Sequence, residues 1–447
     1  MQIITATTNR GFSVEITGDH FHAPPCSFSY PEAVWQTFPA KEALIQELAY
    51  LTTVITPLML KHPEIHYDTP APRFMQFYHE AFEVSIPNII QYIEHDEADD
   101  ILNRFRALRS TFADNSDAPL LNEQREWNLN RVILPFSYGK DSLMSMALLQ
   151  RLEYEVRPIN IMQCVQPRMH AHRVRVKAAF EKEFSVECDE LRNELLLLTD
   201  YEILKTPESQ LRQSYLHFVY VLGMLPFCYY YAAPTIILSN EFNNALSRVH
   251  RQGLVAPMKI MQSQTMAREM AAMVTEFTDG KITVENPIGG VNNFTINHLL
   301  LGTFRPYEKY RMSCDMETSS YSRWCHNCIR CAQAYLVAVA NGIDPVTLGF
   351  EADMFAKEFE HHFASSERVP HPENLFAKFT QHEEMLAAIM AVECGADRGL
   401  LNKFGIDQSD RKLKERLHAE IFKYQIEPEG RIERDSARLC REILTSG

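Results

Sequence analysis

The sequence predicts an α/β protein with a parallel sheet that carries helices on both faces. Strand-like and helix-like segments alternate between residues 130 and 340, which is the pattern of a parallel sheet. The first strand in this region leads directly into a Ser-Tyr-Gly turn and a helix, within Arg131 to Leu152. Four cysteines at metal-ligand spacing follow later in the same region, which predicts a zinc-binding knuckle.

The chain has 447 residues, too many for one ordinary core, so we expect more than one domain. We predict three parts: an α+β accessory domain at 1–125, a catalytic domain with the metal site at 126–345, and a helical region at 346–447. In the first part we expect β structure over 3–16, helices at 39–60, 74–92 and 99–112, a loop at 62–72, and a polar linker at 113–125.

The alternation of strands and helices lies in the central part, residues 126–345. We predict strands at 132–136, 156–164, 235–238 and 282–285, and helices at 141–151, 168–184, 211–231 and 263–277. In the last part we predict helices at 352–364, 373–394 and 408–424, with the charge runs at 410–420 and 431–442 as solvated helix faces.

Composition excludes several classes of protein. Hydrophobic residues make up 46% and charged residues 23%, as in a globular protein, and the net charge of −14 argues against direct nucleic-acid binding. A small nucleotide pocket is still compatible with this net charge, because it needs only a few local hydrogen-bond donors. The ten cysteines do not form a disulfide scaffold, and no signal peptide is evident, so we expect a reducing cytoplasm.

One uncharged stretch, residues 218–238, is long enough to span a bilayer. Pro226 and Pro234 interrupt it, and its second half is rich in β-type residues. A buried helix followed by a buried strand explains it better, so we expect no membrane association.

The turn SYGKDS, residues 137–142, has the composition of a phosphate-binding loop. Gly139 permits a sharp turn and close approach of a ligand, and backbone N–H groups at a helix start suit a phosphate. Ser137, Lys140 and Ser142 add side-chain donors, and Asp141 or Ser142 could cap the helix. A plain strand-to-helix turn with a cap is the alternative. The position at the carboxyl end of a strand favours a ligand, although this is not a Walker A loop.

Cys325, Cys328 and Cys331 form C-H-N-C-I-R-C, and Cys314 stands a short loop before them. Thiolates at this spacing can converge on one tetrahedral Zn²⁺, and four of them leave no open position, so the role would be structural. An iron–sulfur cluster has similar ligands and is the alternative. His326 is a candidate for a substitute ligand, although its place inside the knuckle favours a position beside the metal ligands or at the surface.

The turn resembles the SGGxDS loop of the PP-loop ATP pyrophosphatase superfamily, which has an adenine nucleotide alpha-hydrolase-like fold. Members cleave ATP between the α and β phosphates and adenylate an oxygen of the substrate. This chain keeps Ser137, Gly139, Asp141 and Ser142 but has Tyr138 where the superfamily usually has Gly. We expect the Tyr138 side chain to narrow the pyrophosphate pocket.

The order of motifs is similar to that of the QueC family, the 7-cyano-7-deazaguanine synthases. After the loop come Ser313-Cys314 and then C-x-x-C-x-x-C followed by Ala334-Tyr335. Weaker matches are Gln166 after the second strand, the LSNEFNN segment that contains Asn240, Glu241 and Asn243, and the segment around Pro287. The resemblance covers roughly residues 130 to 340.

This resemblance implies roles for the matched residues. Ser137, Gly139 and Ser142, with Tyr138 in the same loop, would bind the pyrophosphate portion of ATP. Lys140 would contact phosphate, with a solvated surface lysine as the alternative, and Asp141 would hold Mg²⁺, with a helix cap as the alternative. Gln166, Asn240 and Glu241 would face the adenylate or the base; an exposed loop acid is the alternative for Glu241. We expect Lys140, Asp141 and Ser142 to be catalytic.

The implied reaction is ATP-dependent activation of 7-carboxy-7-deazaguanine, followed by attack of an amine. The long flanking regions favour the enlarged QueC-like proteins of bacterial antiphage systems, of the Qat and CBASS types, in which the resemblance implies transfer to the N-terminal amine of a partner protein. The alternatives are a nitrile-forming synthase that uses ammonia, a decayed nucleotide-binding scaffold and RNA thiolation, which the acidic charge disfavours. The basic helix at 168–177 would screen triphosphate, meet an acidic partner, or present a solvated face.

Overall fold

A computed structural model describes residues 1–18, 21–90, 98–113, 121, 125–164, 167–207, 209–249, 255–257, 259–312, 323–363, 379–407, 409–410 and 412–446. Two of the residues predicted to be functional, Gln166 and Cys314, and most of the predicted linker at 113–125 lie outside these ranges.

The described chain contains twelve strands. They are β1 Gln2–Thr8, β2 Gly11–Gly18, β3 Phe21–Ser29, β4 Glu64–Tyr67, β5 Arg109–Phe112, β6 Arg131–Phe136, β7 Glu155–Gln163, β8 Asp189–Asn193, β9 Thr235–Ile237, β10 Ser247–Val249, β11 Val255–Pro257 and β12 Thr283–Glu285. Ten of them form one sheet in the order β12-β9-β6-β7-β8-β3-β2-β1-β4-β5, and β10 pairs with β11 separately.

The helices of the described chain fall into three groups along the sequence. Before β6 come α1 Glu32–Thr37, α2 Lys41–Thr53, α3 Thr56–Leu60, α4 Met75–Ile90 and α5 Ala98–Ala107. The central group is α6 Lys140–Arg151, α7 Pro167–Phe184, α8 Tyr201–Leu204, α9 Leu216–Gly223, α10 Leu225–Tyr231, α11 Gln264–Phe277, α12 Asn293–Leu301, α13 Arg305–Glu308 and α14 Ile329–Ala340. The last group is α15 Gln381–Glu393, α16 Gly399–Lys403, α17 Leu413–Ile421 and α18 Arg431–Ser446.

The five strands β12, β9, β6, β7 and β8 are all parallel, as the alternating pattern predicts. Alternate residues of a strand point to opposite faces, and β6 shows apolar packing on both faces. Ile133 belongs to one buried apolar cluster, whereas Val132 and Leu134 belong to another. The sheet therefore carries a core on each face, and the α/β prediction is confirmed.

The order of these strands places a switch point beside β6. From β6 the chain continues to β7 and β8 on one side, and later to β9 and β12 on the other side. The connections leave β6 and β9 in opposite directions, and in open α/β sheets ligands bind outside the carboxyl ends of the strands at such a switch point. The loops that follow Phe136 and Ile237 lie at this switch point.

The N-terminal strands extend the same sheet. β3 pairs with β8 in the antiparallel direction, with Phe28 opposite Asn193, and β2, β1, β4 and β5 follow outward. Phe28 and Leu191 also share one buried cluster. The complete sheet is therefore mixed rather than purely parallel. The strands before and after the predicted domain boundary near residue 125 belong to this one sheet.

Several predicted elements need correction. The predicted loop at 62–72 contains β4, and the predicted helix at 99–112 ends at Ala107 and continues as β5. β8 was not predicted. These strands have only four or five residues, too few for a period of two to stand out.

The C-terminal region packs onto the central part. In α18, Ile432, Ala437 and Cys440 are buried in the cluster that also contains Leu143 of α6. The charge run at 431–442 therefore has a solvated face and a buried face. Within the predicted helix at 352–364, the described chain has only a short 3₁₀ turn, Lys357–Phe363.

Among the described residues, one helical stretch is long and apolar enough to cross a membrane, Lys41–Leu60, and 89% of its window is buried inside the protein. That burial is typical of a core helix. The stretch at 218–238 forms α9, α10 and β9 with a mostly buried surface, so the prediction of a buried helix followed by a buried strand is confirmed.

Candidate functional site

The strand–turn–helix predicted at residues 131–152 is present. β6 ends at Phe136, Gly139 occupies the N-cap position with extended backbone angles, and α6 begins at Lys140. Among the described residues, no side chain caps this helix through a hydrogen bond, so neither Asp141 nor Ser142 acts as its N-cap. The start of α6 lies at the switch point of the sheet, and the N–H groups at a helix start suit an anion.

The two serines hold the turn in shape. Ser142 Oγ donates to Gly139 O at 3.1 Å and accepts from Ser137 N at 3.3 Å. Gly139 N donates to Ser137 Oγ at 3.2 Å, and the two hydroxyl oxygens lie 3.2 Å apart. A Cβ at Gly139 would lie only 3.1 Å from Ser137 Oγ. The turn is thus preorganised by its own hydroxyls, and glycine fits its tightest position.

Tyr138 corrects one expectation. Its φ is 58°, in the left-handed region that glycine adopts easily, and its carbonyl accepts from Met312 N at 2.8 Å. The fully buried ring packs edge-to-face against Phe136 at 4.6 Å and Phe180 at 5.3 Å. Burial raises the pKa of the phenol. The side chain lies in the core and does not narrow a phosphate pocket, because the left-handed backbone turns it away from the loop's open side.

A buried ion pair joins the two loops at the switch point. Lys140 Nζ lies 2.5 Å from Glu241 Oε2 and also contacts Asp141 Oδ1. The side-chain exposures are 8% for Lys140, 0% for Glu241 and 21% for Asp141. Lys140 is therefore not a solvated surface lysine, and Glu241 is not an exposed loop acid. Asp141 is the most accessible of the three charges.

The segment after β9 is fixed to its neighbours by short polar contacts. Ser239 Oγ donates to Ser145 Oγ of α6 at 2.9 Å. Asn286 Nδ2 donates to Asn240 O at 2.9 Å, and Asn240 N donates to Asn286 Oδ1 at 3.2 Å. The Asn240 side chain is 6% exposed, and its Nδ2 has no hydrogen-bond partner among the described residues. An unmet buried donor therefore lies beside Glu241.

The C-terminal region reaches this segment through a residue that the sequence reasoning missed. Glu383, in the first turn of α15, accepts from Asn243 Nδ2 at 2.5 Å and from Phe294 N at 2.7 Å. Burial raises the pKa of Glu383 to about 6. Thr380 and Glu383 form a capping box, and this T-x-x-E spacing is the sequence signal that would have marked the helix start.

The three cysteines of the knuckle converge. The sulfur atoms of Cys325, Cys328 and Cys331 all lie within 4.8 Å of one another, so the donor set fits a thiophilic metal ion. His326 Nε2 accepts from Glu351 N at 3.0 Å, which uses that nitrogen for a backbone contact. The predicted fourth ligand, Cys314, lies outside the described residues.

A buried polar network connects the knuckle to the turn, and it was not predicted. Arg323, two residues before Cys325, donates through Nε to Arg311 O at 2.8 Å and pairs with Glu308 at 2.9 Å. Met312, which follows Arg311 in the sequence, donates its N–H to Tyr138 O. The segment that leads to the cysteines therefore holds the left-handed residue of the turn in place.

Comparison of the chain with models of known protein families found no match, and comparison with curated proteins also found none. The class that the fold defines is an α/β protein whose sheet has a switch point beside β6. Its candidate site consists of the turn at 137–142, the segment at 239–243 and the nearby cysteine cluster.

Proposed function

We propose that this chain is an ATP-dependent, AMP-forming ligase of the QueC-like type. The observation that carries the proposal is the position of the uncapped start of α6 at the switch point, with the hydroxyls of Ser137 and Ser142 beside it. Helix starts at such positions bind phosphate groups, and the sequence of the turn resembles a pyrophosphate-binding loop.

Each residue of the turn has a separate role in this proposal. Ser137, Gly139 and Ser142 provide hydroxyl and backbone donors for the pyrophosphate portion of ATP. Lys140 is kept in one position by Glu241 and Asp141, so its charge is fixed next to the phosphates. Asp141 is the carboxylate accessible enough to hold Mg²⁺, which would neutralise charge on the departing pyrophosphate.

The reaction has two balanced steps. A carboxylate oxygen of the substrate attacks the α-phosphorus of ATP, the bond to the bridging oxygen breaks, and pyrophosphate leaves with the electron pair. An amine nitrogen then attacks the acyl carbon, the bond to AMP breaks, and the nitrogen loses a proton to solvent. The chain contributes positioning and fixed charge, which dominate catalysis of this kind.

The segment after β9 supports a role in binding the organic part of the ligand. Asn240 offers a buried amide donor with no partner among the described residues, close to the Lys140–Glu241 pair. An amide of this kind can hydrogen-bond the edge of a purine-like base. We propose that the carboxylate substrate is 7-carboxy-7-deazaguanine, and that Gln166 contributes from the loop after β7.

The cysteine cluster supports a structural zinc site, completed by Cys314. Zn²⁺ at this site would clamp the segment that carries Arg311 and Met312 against the turn. A closed set of four thiolates offers no position for a substrate, so we assign the metal no step in the reaction. Three converged sulfur atoms favour this site over unconnected cysteines.

For the acceptor we propose the N-terminal amine of a partner protein in antiphage defence, in the cytoplasm. The flanking regions lie against the central part, since β3 extends its sheet and α15 contacts Asn243. They thus enlarge the protein around its candidate site, as a macromolecular acceptor would require. The alternative acceptor is ammonia, which would give an amide; a second ATP would then activate the amide oxygen, which leaves with AMP to give the nitrile.

The test uses purified protein with ATP, Mg²⁺ and 7-carboxy-7-deazaguanine. We expect pyrophosphate release, and its loss in Asp141→Ala but not in the control Asp410→Ala, which removes an exposed partner of Arg416. Intact mass of co-encoded proteins should then show addition of the base. A nitrile product with no mass shift would support ammonia as acceptor, and ATP binding without turnover would support a scaffold.

The geometry of Tyr138 weighs against a decayed loop. A bulky residue that filled the phosphate position would have supported a scaffold function. The ring instead packs in the core, while Ser137, Gly139 and Ser142 keep a connected hydrogen-bond pattern. The presence of Tyr138 in place of glycine thus affects the packing of the core next to the turn and not the hydrogen bonds of the turn itself.

A further inference from the structure

A second group of polar residues lies at the carboxyl edge of the sheet, beside β6. Gln163, the last residue of β7, donates through its amide to the hydroxyl of Tyr220 on α9. Arg173, in the basic helix α7, lies close enough to Tyr220 and Tyr138 to interact electrostatically with both. The ring of His172, next to Arg173 in sequence, lies 6.3 Å from that of Tyr138, so the group lies beside the buried Tyr138 ring.

Arg173 is unusual for an arginine. It is only 7% exposed, and its Nη1 donates to the carbonyl of Ile161. Among the described residues, its Nε has no hydrogen-bond partner, and the groups that interact with its charge are the tyrosines Tyr220 and Tyr138 rather than a carboxylate. Burial lowers the pKa of the guanidinium, but arginine stays protonated in proteins. A buried charge without a counter-charge is costly, so an anionic ligand is the expected partner.

His217 and Tyr220 add uncharged polar groups on the other side. The His217 side chain is 8% exposed, and its Nδ1 has no partner among the described residues. Its ring lies 5.7 Å from that of Tyr220. Burial lowers the pKa of His217 to about 3, so the imidazole is neutral at pH 7 and can donate a hydrogen bond.

We propose that Arg173, together with Tyr220 and His217, forms a subsite for an oxyanion, either a carboxylate or a phosphoryl group. The proposal rests on the proposed function and deepens it. Adenylation must bring a carboxylate and an α-phosphate together while the turn holds the pyrophosphate, so a second cationic position is needed at the same edge. Arg173 supplies that charge from α7, the helix that follows the neighbouring strand β7, and the guanidinium plane can bind either oxyanion bidentately.

The test measures binding of ATP and of 7-carboxy-7-deazaguanine by calorimetry in the full chain. We expect Arg173→Met to keep the melting temperature of the free protein and to lose about tenfold or more in affinity for at least one of the two ligands. Loss of affinity for ATP assigns the subsite to the phosphoryl group, and loss of affinity for 7-carboxy-7-deazaguanine assigns it to the carboxylate of the acyl substrate. Lys182→Met, on the exposed side of the same helix, is the control and should bind like the wild type.

Affinities within about twofold of the wild type for both ligands would overturn the proposal. If Arg173→Met does not fold, Arg173→Lys keeps the charge but loses the bidentate geometry, and it should fold and bind more weakly; failure of both variants to fold would make Arg173 structural. If the wild type binds neither ligand, the proposed function fails by itself. Inorganic pyrophosphate then becomes the probe, and the subsite stands only if pyrophosphate raises the melting temperature in an Arg173-dependent manner.

Discussion

Removal of Lys140 should destabilise the protein more than removal of its partner Glu241. Lys140→Met leaves the Glu241 carboxylate, which has no exposed side-chain surface, without its ammonium partner. Breaking a buried ion pair in this way costs about 3–5 kcal/mol. Glu241→Gln leaves Lys140 next to Asp141, which is 21% exposed, so the cost should be only about 1–2 kcal/mol.

The assay is chemical denaturation followed by tryptophan fluorescence and circular dichroism, with the free energy of unfolding compared across a double-mutant cycle. The double variant should cost less than the sum of the two single variants, because the carboxylate that lost its ammonium partner is gone. Lys414→Met breaks the exposed pair with Glu393, with side chains 42% and 50% exposed, and should cost at most about 1 kcal/mol.

Two results would refute this reasoning. One is a cost for Lys140→Met no larger than that of Lys414→Met, which would mean that Glu241 is not deprived of an essential partner. The other is the reverse order, with Glu241→Gln the more damaging change. Either result would also remove the argument that the ion pair fixes the Lys140 charge for the phosphates.

Three further changes test other parts of the site. Tyr138→Gly should cost about 3 kcal/mol of stability through the lost ring, yet preserve pyrophosphate release, because the left-handed backbone is kept. Glu383→Gln should change how the free energy of unfolding depends on pH. The folded pKa of Glu383, about 6, lies above the ordinary 4.5, so the stabilising contribution of this residue is fully present below pH 4.5 and is lost as the pH rises through 6. The wild type should thus gain up to about 2 kcal/mol relative to Glu383→Gln between pH 7 and pH 4.5. Chelation of the proposed zinc ion, or Cys328→Ser, should lower the melting temperature and abolish the proposed ATP binding.

Each of these has a distinguishing control. Tyr138→Ala keeps the left-handed strain and loses the ring, so it should be less stable than Tyr138→Gly, and equal stabilities would contradict the role of φ. A parallel pH dependence of wild type and Glu383→Gln would show that Glu383 does not titrate in this range. Cys394→Ser changes an exposed cysteine outside the cluster and should keep the metal, measured by plasma mass spectrometry.

The central sheet could be predicted because its strands are apolar and alternate with long helices. β6 and α6 were placed within one residue of their observed bounds, and β7 and β9 were also close. The pairing of β3 with β8 could not be predicted, because only two residue pairs join these strands across a long sequence separation. Nothing local in either strand specifies the other as its neighbour.

The candidate site divides in the same way. The turn could be found because strand, glycine, hydroxyls and helix start are adjacent in sequence. Glu383 and Arg323 could not be found, because each acts on a distant part of the chain by accepting from or donating to backbone groups. The orientation of Tyr138 depends on one dihedral angle, and the expectation about it was wrong because a sequence does not show which way a turn faces.

The connections around the turn show why the flanking regions matter to the proposal. The turn is held from one side by Met312, whose segment is tied to the cysteine knuckle through Arg323. The opposing loop is held by Glu383, which belongs to the C-terminal region. A domain that merely recruited a partner could be tethered loosely, whereas here a residue of the flank contacts the segment that contains Asn240 and Glu241. Under the proposed function, an acceptor docked on the C-terminal region would therefore act on the same loop that positions the Lys140 charge, and this contact would couple acceptor binding to activation of the carboxylate.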